Sequence, residues 1–182
     1  PLYYVVLKGW LALLGGGALP ARWLSVCIGV ATIPLLYGLG RRLAGRRAGL
    51  AAALLLALSP FHVYYSQEVR MYGLVTLLTT AAGLLTWRAA EGRGGWPWVW
   101  AGLALLAALY TQYYACFTAL ALTLYMLLRR DLRGRLRPWL FTLAGVALAY
   151  LPWLLYAGPR LWVYIQYKVG KDADLPLSVV EF

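Results

Sequence analysis

Charged side chains are scarce in this 182-residue sequence, and acidic ones are the scarcest. Only 13% of the residues are charged, with 6 aspartates and glutamates against 17 lysines and arginines, whereas 63% are hydrophobic. A soluble domain carries about a quarter charged residues and is about half apolar. A soluble fold of this composition would leave much of its surface without polar cover, which excludes an ordinary soluble domain.

Histidine and cysteine are also nearly absent, which bears on metal and disulfide chemistry. His62 is the one histidine in the sequence, and Cys27 and Cys116 lie far apart within apolar runs. Neither cysteine belongs to a metal-binding spacing, so we expect both to be buried as small apolar side chains. An isolated histidine is more often a hydrogen-bonded structural residue than a metal ligand.

The basic residues give a formal net charge of +11, which suggests nucleic-acid binding until their positions are considered. Fourteen of the 17 are arginines, and most of them cluster in short segments between long apolar runs. This pattern is typical of the cytoplasmic loops of membrane proteins. The sequence therefore predicts a multi-pass integral membrane protein that lies in a lipid bilayer and has no nucleic-acid partner.

Six apolar segments are candidate membrane crossings and predict an all-α transmembrane helical bundle. A helix that crosses a bilayer needs about 20 largely apolar residues. Residues 96–128 contain no charge, and one straight helix of that length would be roughly 50 Å long, too long for a single crossing. The polar stretch 111–114 in its middle favours a helical hairpin. The predicted crossings are 22–40, 48–60, 71–88, 96–110, 114–128 and 138–157.

Arginine clusters in residues 41–47, 88–93 and 129–137 predict the orientation, because positively charged loops stay on the cytoplasmic side. All three can be cytoplasmic if segments 48–88 and 96–128 each cross the membrane twice, which supports the hairpin. The segments that then face away from the cytoplasm are 1–21, 61–70, 111–114 and the outer loop 158–182.

The first segment is shorter than the others and carries a charge. Its apolar run is interrupted by Lys8 and ends in a glycine cluster. A length of about 10 to 14 residues suits an interfacial or re-entrant helix better than a crossing one. We expect residues 1–21 to form an outer interfacial segment, and residues 22–157 to hold the six transmembrane helices. The chain begins with Pro1, not Met, and we expect it to be an internal piece of a longer protein.

Polar residues are concentrated between two apolar runs, in the segment "SPFHVYYSQEVRMYGL" at 59–74. If this segment is helical, His62 and Ser66 share one stripe, and Glu68 and Arg70 point to different sides. In an extended loop, Glu68 and Arg70 would share a face, and the sequence leaves both geometries open. The simplest interpretation is an interfacial belt of tyrosines with the two charged residues as solvated anchors.

Several motifs resemble those of one family of bacterial membrane glycosyltransferases. "PLYYVVLKGW" resembles the tail of its His-Pro-Pro-Leu-Tyr-Tyr motif, and "RRLAGRRAGLAAALLLALSPFHVYYSQEVRMYGL" resembles its Gly-Arg-Arg loop, third helix and Tyr-Ser-Gln-Glu-x-Arg-Met-Tyr loop. "ALYTQYYA" is similar to its Thr-His-Tyr loop, with Gln112 where a histidine is usual, and "KDADLPLSVVEF" resembles its outer loop after the seventh helix. This family is the GT-C-fold group related to protein O-mannosyltransferases and the lipid A aminoarabinose transferase.

The resemblance implies an enzyme that takes a sugar from a polyprenyl-phosphate donor. It would act at the outer surface of a bacterial inner membrane, on a lipid, glycan or protein acceptor. The family's key aspartate lies upstream of the His-Pro-Pro motif, so the expected catalytic base is not in this sequence. Gln112 can form hydrogen bonds but cannot take up a proton, so any acid–base or metal role of the family histidine is lost here.

The resemblance and the outward position together make Glu68 and Arg70 the candidate catalytic residues. A departing lipid phosphate needs cations and hydrogen-bond donors around it, and Arg70 is the outward arginine embedded in a polar loop. Glu68 would orient Arg70, hold an acceptor hydroxyl or ligate a divalent cation; the sequence implies no other cofactor. The predicted substrate-binding residues are Tyr3, Tyr4, Lys8, His62, Tyr65, Gln67, Tyr72, Gln112 and Tyr113.

Two other classes of membrane protein remain as alternatives. A secondary transporter would show polar residues at mid-bilayer, inverted repeats or glycine-broken spans. Here the middles of the spans hold leucine, alanine and valine, with threonines as the small polar residues. A non-catalytic membrane scaffold is the other alternative, favoured by the change to Gln112.

The predicted orientation can be tested by cysteine labelling of intact cells. In a variant with Cys27 and Cys116 replaced by serine, a membrane-impermeant reagent should label a cysteine at Gly170 but not one at Gly134, because only the arginine-rich loops face inward. Labelling of Gly134 with protection of Gly170 would refute the orientation.

Overall fold

The computed structural model describes residues 1–92 and 95–173 of the chain. These residues form α-helices and short 3-10 turns, with no β-strand among them, which confirms the predicted all-α fold. By contacts the chain divides into two compact units, Pro1–Val146 and Ala147–Phe182. The helices are α1 (Leu2–Leu14), α2 (Ala18–Leu58), α3 (Pro60–Gln67), α4 (Tyr72–Glu91), α5 (Trp96–Thr111), α6 (Cys116–Leu128) and α7 (Leu136–Ala173).

Helix α1 packs antiparallel to the beginning of α2. The hydroxyl oxygens of Tyr3 and Ser25 lie 3.3 Å apart, and the Trp10 indole nitrogen donates to the Pro20 carbonyl at 2.8 Å. Later residues of α1 thus meet earlier residues of α2, as expected when the glycine cluster 15–17 acts as a tight turn. The helix has the predicted length, and its interfacial location stays a prediction.

Helix α2 is two antiparallel arms, residues 18–43 and 46–58. Gly45 has a φ of 88°, a left-handed conformation that favours glycine, and the helical path breaks there. A Cβ atom on Gly49 would lie 2.7 Å from the carbonyl oxygen of Tyr37. In a straight helix these two residues would be about 18 Å apart, so the chain must reverse between them. The reversal falls in the arginine cluster 41–47, where the sequence predicts a loop.

The three arginine clusters come together at one end of the first unit, here called the arginine end. Arg42 lies 3.6 Å from Glu91 at the end of α4, and the Arg129 guanidinium lies 5.8 Å from the centroid of the Trp87 ring. Because α4 has 20 residues, its first residue, Tyr72, is about 30 Å away, close to the thickness of a bilayer's hydrocarbon core.

Among the described residues, two helical stretches are long and apolar enough to cross a membrane: Ala18–Leu58, which contains the reversal at Gly45, and Arg130–Arg160, which begins just before α7. The bent pair formed by α3 and α4, which turns through 119°, raises this to three if it counts as one span. Helices α1, α5 and α6 are apolar but shorter than a full crossing. The helices indicate an integral membrane bundle, and the number of six crossings stays a prediction.

One detail of the sequence interpretation gains a structure and another needs correction. Helix α7 continues to Ala173, so residues 158–173 of the predicted outer loop are helical; residues 160–169 contain neither glycine nor proline to stop the helix. The predicted segment 174–182 lies outside the described residues. Cys27 and Cys116 are exposed on the helix surfaces and not buried, since an apolar run in a membrane protein can face lipid as well as a core.

Buried residues form two clusters that hold the first unit together. Near the arginine end, the fully buried Trp139 donates its indole N–H to the Thr123 hydroxyl at 2.9 Å and packs beside Trp98. The other cluster joins α1, α2 and α4 through Tyr3, Leu24, Ile28 and Leu74, with Val69 and Met71 packed against it. Apolar contacts of the residues immediately before and after Arg70 therefore anchor the segment between α3 and α4 on this cluster.

The reversal of α2 predicts a specific sensitivity at Gly49. Gly49→Ala should lower the free energy of unfolding by about 1–3 kcal/mol, because the new methyl group would press on the backbone of the other arm. Gly145→Ala is the matched control, since Gly145 is also helical but nothing lies within 4 Å of its Cβ position. Thermal unfolding in detergent measures the stability of the two variants, and equal melting temperatures would contradict the reversal of α2.

Candidate active site at the elbow between α3 and α4

The short helix α3 is fixed to α2 at a glycine. Pro60 begins α3, and the preceding Ser59 hydroxyl accepts a hydrogen bond from the His62 amide at 3.4 Å. His62 Nε2 lies 3.1 Å from the Gly29 carbonyl oxygen. A Cβ atom on Gly29 would lie 2.7 Å from the Cβ atom of Ser66, so α3 can lie this close to α2 only because residue 29 has no side chain.

The helix ends at Gln67, so Glu68 and Arg70 lie outside it, which excludes the helical one of the two geometries that the sequence left open. Glu68 has φ −77° and ψ 135°, and α4 starts at Tyr72 after the bend of 119°. The Tyr64 hydroxyl lies at a long hydrogen-bond distance of 3.5 Å from Glu68 Oε1. Glu68 Oε2 is buried and has no hydrogen-bond partner within the described part of the chain.

Arg70 lies in this break, outside both helices, and is exposed. The Tyr72 hydroxyl, and after it the negative charge of Glu68, raise the pKa of the Arg70 guanidinium above its usual value. Tyr4, near the start of α1, has a smaller effect in the same direction. The elbow therefore presents a permanent positive charge with Tyr72, Glu68 and Tyr4 around it.

A polar cavity of about 430 Å³ opens beside the elbow. It lies between the start of α4 and the break between α5 and α6, so it brings together two parts of the chain that are about 40 residues apart in sequence. This end of the bundle, opposite the arginine end, is here called the elbow end. The lining residues are Tyr65, Tyr72, Val75, Thr76, Thr79, Gln112, Tyr114, Ala115 and Thr118.

A second, smaller cavity of about 230 Å³ lies on the other side of the same tyrosines, toward His62 and Ser66. Tyr65 and Tyr72 line both cavities, with their ring centroids 5.0 Å apart in an edge-to-face arrangement. The two rings therefore form a common wall, and Phe61 stacks on Tyr65 from the side of the smaller cavity.

Three side chains of the larger cavity offer hydrogen-bond acceptors to a ligand. Thr76 and Thr79 donate their hydroxyl protons to the carbonyls of Tyr72 and Val75, each at 2.8 Å, so their oxygen lone pairs remain for a ligand. Gln112 Oε1 is buried without a hydrogen-bond partner among the described residues. A ligand that supplies several hydroxyl donors would match this lining.

The structure brings some of the predicted site residues together and separates others. Tyr65, Tyr72 and Gln112 line the larger cavity, His62 lines the smaller one, and Glu68, Arg70 and Tyr4 lie at the elbow. Glu68, Arg70 and Tyr4 line neither cavity, and nor do the remaining predicted residues: Tyr3 is buried between α1 and α2, and Lys8, Gln67 and Tyr113 are exposed.

The predicted substrate-binding residues did not include Tyr114 or the three threonines that line the larger cavity, Thr76, Thr79 and Thr118. Tyr72, Thr76 and Thr79 fall at i, i+4 and i+7 of α4, so helical periodicity could have placed the threonines on the face of the predicted Tyr72. Thr118 and Tyr114 follow Gln112 closely in sequence, but the 3-10 turn that points Tyr114 into the cavity carries no clear sequence signal.

A divalent cation at Glu68 would need ligands from elsewhere. Within residues 1–92 and 95–173, no group of three or more histidine, cysteine, aspartate or glutamate side chains comes together.

Apolar helices, clustered arginines at one end and a cavity beside an exposed arginine at the other describe an integral membrane protein with a candidate site at one end of its helical bundle. A comparison with protein families matches residues 1–156 to the dolichyl-phosphate-mannose-protein mannosyltransferase family. The chain belongs to this family, a group of membrane glycosyltransferases, as its motifs predict. Comparisons with curated proteins and with solved structures found no match.

The contact at Gly29 yields a prediction for a double-mutant cycle. Gly29→Ala should destabilise the protein by about 1–3 kcal/mol, because its methyl group would overlap Ser66. Ser66→Gly removes that side chain, so the double variant Gly29→Ala/Ser66→Gly should recover much of the loss. Thermal unfolding of all four proteins measures the coupling. Strictly additive effects would show that α3 does not rest on Gly29.

Proposed function

We propose that the protein transfers a sugar from a polyprenyl-phosphate donor to an acceptor outside the cytoplasm. In this proposal it lies in a bacterial inner membrane with the elbow end facing outward. The family match supports the glycosyltransferase reaction, and the choice of donor, acceptor and orientation rests on the motifs and on the elbow.

The observation that carries the proposal is the pairing of Arg70 with the cavity beside it. A lipid-linked sugar phosphate has an anionic group at the membrane surface and a sugar rich in hydroxyl donors next to it. Arg70 supplies the positive charge, and the acceptors of Thr76, Thr79 and Gln112 match hydroxyl donors. Both lie at the elbow end, about 30 Å along α4 from the arginine end.

The proposed reaction is a displacement at the anomeric carbon of the sugar. The acceptor oxygen forms a bond to this carbon, the bond to the phosphate oxygen breaks, and the lipid phosphate leaves with the electron pair. Arg70 stabilises the charge that grows on the phosphate in the transition state. The acceptor proton goes to a carboxylate, which the family resemblance assigns to an aspartate outside this sequence.

Glu68 and the tyrosines have supporting roles in this scheme. Glu68 lies near Arg70 and offers Oε2 to an acceptor hydroxyl. The rings of Tyr65 and Tyr72 provide flat apolar faces for the sugar ring. Helix α1 brings Tyr4 to the elbow and so covers the donor phosphate from the side, with Lys8 one turn further along.

Replacement of Arg70 tests the proposal. Arg70→Ala in the full-length enzyme should reduce transition-state stabilisation by roughly 2 to 4 kcal/mol, measured as kcat/KM for transfer from a polyprenyl-phosphate sugar. Arg70→Lys should restore only part of the activity, because lysine lacks the two-pronged guanidinium.

Arg47→Ala is the matched control, since Arg47 is an exposed arginine at the opposite end of the bundle. It should keep wild-type kcat/KM. Wild-type turnover in Arg70→Ala would remove Arg70 from the donor site and leave it as a surface anchor.

A further inference from the structure

A cavity of about 240 Å³ at the arginine end is far from the site described above. It lies between the first arm of α2, helix α4 and helix α6, and its lining is almost wholly apolar. A dry apolar cavity of about 150 Å³ already accepts a benzene molecule, so this one can hold a stretch of hydrocarbon chain. Its main lining residues are Leu39, Thr86, Trp87, Leu122, Tyr125 and Met126.

One polar group in this lining has no partner. Thr86 is only 3% exposed, and its hydroxyl has no hydrogen bond among the described residues. The threonines 76 and 79 on the same helix donate to backbone carbonyls one turn back. A buried hydroxyl that forms no such bond indicates a ligand with a hydrogen-bond acceptor.

Two arginines lie beside the lining of this cavity: Arg129 is 5.8 Å from the centroid of the Trp87 ring, and Arg42 directly precedes Leu43. Segments 41–47, 88–91 and 129–137 carry ten arginines against two acidic residues, Glu91 and Asp131. Arg42 lies 3.6 Å from Glu91 but forms no hydrogen bond within the described residues, so its donors are available. An anionic group beside these arginines would be bound by charge complementarity.

The depths of these groups match one class of molecule. Thr86 is five residues before Glu91 on α4, about 7.5 Å deeper along the helix axis. The polar interfacial layer of a bilayer is about 5 to 8 Å thick on each side. In a glycerophospholipid, the phosphate lies at the top of this layer, the ester carbonyls at its base and the acyl chains below.

We propose that the cavity binds one anionic glycerophospholipid. An acyl chain fills the apolar space beside Trp87 and Met126. An ester carbonyl accepts a hydrogen bond from the Thr86 hydroxyl, and the phosphate lies against Arg42 and the neighbouring arginines. The lipid ties α2, α4 and α6 together at the arginine end. It is separate from the sugar donor, whose proposed site is at the other end.

Native mass spectrometry of the delipidated full-length protein tests this, with dioleoyl phosphatidylglycerol and dioleoyl phosphatidylcholine as probes. The wild type should bind phosphatidylglycerol at least fivefold more tightly, since each nearby arginine contributes about that factor for an anionic lipid. Arg42→Gln should reduce this preference about fivefold. Arg22→Gln, an exposed arginine about 30 Å away along the first arm of α2, is the control and should change it much less.

Two further variants separate the chain site from the headgroup site. Thr86→Val should weaken both lipids equally, because both have ester carbonyls, whereas the control Thr142→Val should weaken neither. Gly83→Leu places a side chain in the cavity and should abolish the specific binding of both lipids. Melting temperatures identify a variant that fails to fold, and Arg42→Gln on the surface remains informative in that case.

Equal wild-type affinity for the two lipids would overturn the proposal, as would unchanged binding in both Arg42→Gln and Gly83→Leu. Polyprenyl phosphate that displaces phosphatidylglycerol from the wild type but not from Gly83→Leu would also overturn it, since the occupant would then be a prenyl lipid. None of these outcomes bears on Arg70, so the result is independent of the proposed reaction.

Discussion

The contact of α3 with Gly29 is the feature on which the geometry of the elbow depends. Ser66 and His62 lie against a backbone that has no side chain at that point. This fixes α3 across α2, and the chain must then turn through 119° to continue as α4. The turn leaves Glu68 and Arg70 outside any helix and lets the ring of Tyr72 meet that of Tyr65. A single hydrogen atom in place of a methyl group thus determines where the charges of the site lie.

Much of the fold could be predicted because a bilayer constrains the sequence strongly. The basic clusters and apolar runs predicted an all-helical membrane protein, and the breaks at Gly45, Ser59 and Gln112 fall within a residue or two of the expected ones. Residues 158–173 were less accessible to such reasoning, since a polar segment after an apolar run can be helix or loop. The predicted burial of Cys27 was wrong, because hydrophobicity does not distinguish lipid contact from protein contact.

The site was only partly predictable, because its cavity joins segments that are distant in sequence. Glu68, Arg70 and Tyr72 lie within five residues of one motif, so their closeness in space could be predicted from the sequence. The approach of Gln112 to Tyr65 depends on how two hairpins pack, and no pattern in either segment encodes this. The threonines of α4 were visible as a helical face, but their value as hydrogen-bond acceptors appears only when their hydroxyl donors are seen to be satisfied by the backbone.

The wall of two tyrosine rings has a consequence for the space on either side of it. Tyr65 and Tyr72 bound both cavities, so a displacement of either ring that widens one cavity narrows the other. Rings can turn only about two side-chain torsions, and Tyr65 is further held by Phe61 and Tyr64. A guest on the Gln112 side that pushes either ring aside would therefore narrow the space on the His62 side, so the shapes of the two cavities are coupled through one partition.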